Sequence, residues 1–179
     1  MTLFKGIKSG FFIVFCVNIA VFLLLSLIND AFAGIGVCVF LPAFLIVPSA
    51  LFLSFSGAMF MAVFFGFLFE AQSPLDGALL PALFVCAAFV VFKLRAKFRS
   101  LDSFGITWLS WTVNMAMYLI AVLCILPAGV SPMWAYALRV FVDAVFTSLI
   151  LILFSAYVVN LNKSVAYLLG EPLGVGGEE

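Results

Sequence analysis

Residues 10–27 read GFFIVFCVNIAVFLLLSL, without one charged side chain and with a single amide, Asn18. About 20 such residues, wound as a helix, match the roughly 30 Å hydrocarbon core of a bilayer. Inside that core each backbone amide needs an internal partner, so a run of this kind points to a spanning helix. Five comparable runs follow: 32–53, which contains Pro42 and Pro48; a short one, 57–69; then 78–92, 106–126 and 133–159. The expected fold is an all-α integral membrane protein, a bundle of six transmembrane helices. It forms one polytopic domain over 1–169, followed by a glycine-rich acidic tail at 170–179 with a disordered cytoplasmic character. The third and fourth runs are short for full spans, which calls for less tilt or for extension at their polar ends.

Composition agrees. Apolar residues make up 67% of the 179-residue chain and charged ones 9%, with a mean hydropathy of +1.36. A soluble domain is about half apolar and a quarter charged, and one of this size lacks the interior to hide such a surplus. Net charge is zero, so the basic footprint of a nucleic-acid-binding protein is missing.

The charges also assign sides. Lysine and arginine collect in short cytoplasmic loops. With the amino terminus inside, Lys5, Lys8, Lys93, Arg95, Lys97, Arg99 and Lys163 all fall on the cytoplasmic side. The outer loops carry Asp30, Glu70 and Asp76 and no base. Both termini are therefore expected in the cytoplasm. The sequence AFAG at 31–34 has the form of a signal-peptidase site. The preceding apolar run is longer than the 7–15 residues or so of a signal peptide, which predicts retention.

The chemistry-bearing residues are few. Histidine is absent, which removes the usual general base and the commonest metal ligand. Cys16, Cys38, Cys86 and Cys124 show no CxxC spacing and sit in apolar runs, where buried apolar side chains are expected. No catalytic, cofactor or metal site is predicted. Glu70 and Asp76 read as solvated loop acids; as a general acid/base pair they lack a neighbouring nucleophile or oxyanion donor.

Arg139 and Asp143 stand four residues apart in the sixth run, on one helix face. Charges in such a place pair with each other or face a bundle interior. Two readings stay open: a self-neutralising pair with Arg139 reaching outwards, or a functional contact with a partner helix or with a polar cavity that also receives Glu70. Asn18 and Asn114 are expected to bond between helices.

The segment FKLRAKFRSLDSFG at 92–105 is the one basic cluster. Wound as a helix it lays Leu94, Phe98 and Leu101 along a narrow face flanked by Lys93, Arg95, Lys97 and Arg99. That layout suits the surface of an anionic leaflet, with a cytoplasmic protein as the alternative partner. The 23 phenylalanines read as lipid-facing and packing side chains, and Trp108, Trp111 and Trp134 as interfacial anchors.

Residues 64–84 read FFGFLFEAQSPLDGALLPALF. Gly66 and Gly77 permit close approach and unusual dihedrals, and Pro74 enforces a turn, so a tight external corner is expected. The phrase resembles that of the MreD family of bacterial rod-shape-determining membrane proteins: a glycine, an acid four residues on, a proline-leucine-glycine corner, an apolar helix, then a basic loop. Gly66 and Glu70 match the first two positions, where the family more often has aspartate. Pro74, Leu75 and Gly77 fit the corner, interrupted by Asp76, and Lys93 to Arg99 matches the basic loop.

The resemblance implies a non-enzymatic component of the cell-elongation complex in the bacterial cytoplasmic membrane. It would work beside an MreC-like protein, the actin-like MreB and peptidoglycan synthases. The competing expectation is a substrate-binding membrane subunit of an energy-coupling-factor type vitamin importer. Such subunits share the size and helix number, but the first run here lacks their alanine-x-x-x-alanine docking face.

Overall fold

The computed structural model describes residues 5–73, 77–95, 103–125 and 133–170, with backbone alone at 5–9 and 125. These residues form six helices and no strand: α1 (Lys5–Ala33), α2 (Ala43–Phe52), α3 (Phe55–Ala71), α4 (Leu79–Leu94), α5 (Ser103–Ile125) and α6 (Met133–Leu168). Stretches within α1, α5 and α6 are long and apolar enough to cross a membrane; α2, α3 and α4 are shorter apolar helices.

The second apolar run departs from expectation. It is not one helix. α1 runs into it as far as Ala33, a turn follows at 34–36, and residues 37–41 belong to no helix or strand before Pro42 caps α2. The causes are local. Gly36 takes a left-handed φ of 73° that ends the helix, and a proline disfavours helical geometry in the residue before it, here Leu41. Pro48 lies inside α2 and removes one of its few ladder bonds.

All ten residues of α2 are buried, and α2 touches each of the other five helices. It is the axis of the fold. Around it, α3 packs on α4, α4 on α5, α5 on α6 and α6 on α1. The ring closes between α1 and α3 through phenylalanines: Phe11 on Phe60, Phe15 on Phe64, and Phe22 on Phe69, with centroids 5.9, 5.3 and 5.5 Å apart. These rings hold two parallel helices at arm's length. The α3–α4 pair is the opposite case, since a Cβ on Gly66 would stand 2.5 Å from Pro81 Cα.

The contacts also sort the chain into two ends. Ser26 and Gln72 hydrogen-bond to each other at one end. At the other, the Arg95 guanidinium donates to Leu53 O at 3.1 Å and Lys163 Nζ lies 5.9 Å from the Phe52 ring. Both cations thus sit at the carbonyl end of α2, where the helix dipole favours positive charge.

α6 is apolar on its outside. Leu153, Phe141 and Leu149 are exposed, while the buried face carries Asp143, Thr147, Ser155 and Asn162. Polar-in and apolar-out is the arrangement a lipid solvent demands. The cysteines correct an expectation for the same reason: all four lie exposed, not buried. A small apolar thiol costs nothing against hydrocarbon, so there was no force to bring it inside.

Candidate functional site

Three buried polar side chains, Asn114, Asp143 and Thr147, and the half-buried Asn29 converge on the non-helical residues that lead into α2. A non-helical backbone inside a helix bundle leaves N–H and C=O groups that must find side-chain partners. They find them on three helices. Asn29 of α1 brackets Val39, accepting from its N–H at 2.8 Å and donating to its carbonyl at 3.0 Å. Asn114 of α5 donates to Phe40 O at 2.8 Å and accepts from Ala43 N–H at 3.2 Å. From α6, Asp143 Oδ1 accepts from Cys38 N–H at 3.0 Å and Thr147 Oγ1 from Phe40 N–H at 3.3 Å. The segment is a strap clamped by α1, α5 and α6.

Lower in the bundle Asn18 donates to Leu45 O at 3.2 Å and to Ser49 Oγ at 2.8 Å, joining α1 to α2 as expected of an interhelical amide. Asn114 also bridges elements, but through backbone: its amide replaces the ladder the strap lacks. Tyr118 donates to Val140 O at 3.1 Å and the Trp111 indole to Ser148 Oγ at 3.1 Å, tying α5 to α6. Trp108 and Trp134 are exposed, at 52% and 70%.

Arg139 and Asp143 share a helix but not a bond. Asp143 is 7% exposed and turned to the strap, while Arg139 is exposed on the outer side of α6. No carboxylate stands within ion-pair distance of Arg139 among the described residues. The self-neutralising pair is thereby corrected: the Cys38 amide, an unpaired donor otherwise, draws the carboxylate inwards.

The glycine-acid phrase forms a second constellation at the α3–α4 corner. Glu70 belongs to the last turns of α3 and not to a loop. A carboxylate there opposes the helix dipole, and Glu70 escapes by reaching across: its Oε1 accepts from Ala78 N–H, the N-cap of α4, at 2.6 Å. Its Oε2 is buried without a partner among the described residues. Gly77 at φ 106° and Ala78 at φ 60° turn the chain into α4, and Gly66 one turn below Glu70 lets Pro81 approach. Gly66, Glu70 and Gly77 are thus brought together. Pro74 and Asp76 lie outside the described residues.

Of the basic cluster, Lys93 is exposed with Nζ 5.6 Å from the Phe89 ring. Arg95 departs from the expected lipid-facing flank, because its guanidinium stacks 3.7 Å over Phe92 while bonding Leu53 O. Lys97 and Arg99 lie outside the described residues, as does the tail at 171–179.

Asn29 and Thr147 escaped the sequence reading. Asn29 sits past the end of the first apolar run and looked like loop. Thr147 carried a usable signal: with Asp143, Ser155 and Asn162 it recurs at helical spacing along an otherwise apolar helix.

What the geometry defines is a class: an all-helical chain, three of its helices long and apolar enough to cross a membrane, organised around a broken central element. It goes no further by likeness. No family model matches the chain, nor does any curated protein or solved structure.

Proposed function

We propose that the chain is a six-span, non-enzymatic adaptor of the bacterial cell-elongation complex in the cytoplasmic membrane, with both termini cytoplasmic. The observation that carries this reading is where the interior polar groups are spent. Asn18, Asn29, Asn114, Asp143 and Thr147 all bond the chain's own groups, chiefly strap backbone. A scaffold needs its polar inventory to fix one shape; a ligand site needs it turned towards a cavity.

The topology draws on the two ends of the bundle. Lys93, Arg95 and Lys163 lie at the end where α2 finishes, and Asp30 and Glu70 with Arg139 at the opposite one; the greater share of base supports a cytoplasmic side for the first end. The phrase resembling the MreD family supplies the partners: an MreC-like protein, MreB and peptidoglycan synthases, met by helix contact in the bilayer. Anionic lipid meets the segment 93–105.

The test is affinity purification of the full chain from gently solubilised native membranes, with identification of what accompanies it. Recovery of MreC-like and wall-synthesis proteins is the expected result. In the host, Glu70→Ala should impair rod shape while Glu70→Gln, which keeps an acceptor for the Ala78 amide, restores it.

A second reading, the substrate-binding subunit of an energy-coupling-factor type vitamin importer, is favoured by the broken second element. Unwound backbone at membrane depth is a feature of transporter ligand sites. Co-purification of an ATPase pair with a second membrane subunit would establish it in place of the adaptor.

A further inference from the structure

Arg139 is the only basic residue at its end of the described bundle, and it is exposed without a carboxylate partner among the described residues. Around it on the same helix Met133, Trp134, Leu138 and Phe141 are exposed, at 56–70%. Below it the outer side of α6 continues apolar through Leu149, Ile152, Leu153 and Phe154, and α6 is long and apolar enough to cross a membrane. The surface that carries Arg139 is thus a surface for lipid.

Depth can be read from the helix itself. About 36 Å of helix separates Arg139 from Lys163, at roughly 1.5 Å per residue. The hydrocarbon core is about 30 Å thick, and about 40 to 45 Å with the headgroup layers. The two cations therefore cannot both lie in hydrocarbon, and centring the apolar stretch between them puts each in a headgroup layer. Lys163 is partly buried over Phe52; Arg139, exposed and unbonded to any described residue, falls on this reading at the level of lipid phosphates. A guanidinium offers forked donors that match phosphate oxygens.

We propose that the second turn of α6 is a phospholipid site, in which Arg139 holds the phosphate of one lipid. The acyl chains of that lipid run down the apolar side of α6 past Phe141 and Leu149. Asp143, one turn on, does not compete for the cation because its carboxylate is committed to the Cys38 amide. The site is at the opposite end of the bundle from Lys93 and Arg95 and is independent of them.

The test uses the full chain, purified in mild detergent and supplied with equal amounts of phosphatidylglycerol and a phosphate-free galactolipid. Native mass spectrometry then reads the retained lipid. Wild type should hold phosphatidylglycerol in preference; Arg139→Gln should lower its retention about fivefold, the effect of one basic side chain at an anionic surface. Arg139→Lys should restore most of it. Melting temperature should be the same in all three, since Arg139 bonds no described residue. Equal retention by Arg139→Gln overturns the site. So does loss of a co-purifying protein without loss of lipid, which would make the ligand a carboxylate on a partner helix. A melting change in Arg139→Gln that Arg139→Lys fails to reverse also overturns it, by making the role internal.

Discussion

At the level of single residues, the sharpest demands are steric and hydrogen-bonding ones. Gly66 meets the backbone of Pro81, which cannot yield as a side-chain tip would. Gly66→Ala should lower the melting temperature in detergent, with a loss of about 1–3 kcal/mol as for an overpacked core. Asp143 is required as an acceptor more than as a charge. Asp143→Asn should melt close to wild type, whereas Asp143→Leu strands the Cys38 N–H and should cost about 1–3 kcal/mol. Equal melting of the two variants would show that the amide has another partner. At this scale the sequence was partly legible. Gly77 announced a corner by residue type alone, whereas Glu70 read as a loop acid and belongs to α3. The four-residue spacing of Arg139 and Asp143 gave their shared helix, but the directions of their side chains depended on a donor, Cys38 N–H, over a hundred positions away.

Among the elements, the strap and α2 decide the architecture, and they were the least legible part. Residues 32–53 are uniformly apolar, so hydropathy could not tell a helix from an extended chain joined to half a helix. Gly34, Gly36 and Pro42 were visible as breakers, yet a breaker within a membrane-length run also fits a kinked helix. What excluded that outcome was the set of side chains ready to receive an unwound backbone, and these come from three different helices. The clamp yields a direct expectation. The amides of Cys38, Val39, Phe40 and Ala43 should exchange with deuterium as slowly as helical ones, although three of the four are non-helical. Asn114→Ala removes both the acceptor for Ala43 N–H and the donor to Phe40 O. It should speed exchange across the strap and leave the α3–α4 hairpin unchanged. Exchange that is fast in wild type would mean the clamp is not formed in solution. The apolar runs 57–69, 78–92 and 106–126, by contrast, end within about three residues of α3, α4 and α5, because the ends of an apolar run and of a helix share the same cause.

For the molecule as a whole, the six-span reading makes opposite ends addressable. A variant whose only cysteine replaces Asp30, exposed at the outer end of α1, should react with a membrane-impermeant maleimide on intact spheroplasts. Moving that cysteine to Ser164, exposed near the far end of α6, should abolish labelling until the membrane is opened. Labelling of both from outside would contradict a cytoplasmic carboxyl-terminal end. The clamped strap has one further consequence, and it concerns biogenesis. A nascent membrane protein leaves the ribosome from its amino terminus. When residues 37–42 emerge, only Asn29 has been made; Asn114, Asp143 and Thr147 do not yet exist. An extended backbone cannot be released into lipid with its amides bare. On the six-span reading the second element therefore waits, sheltered by the insertion machinery or wound provisionally as a helix, until α5 and α6 are synthesised. Its final conformation is settled only once α5 and α6 have been made, so the last part of the fold to set is one of the first to be synthesised.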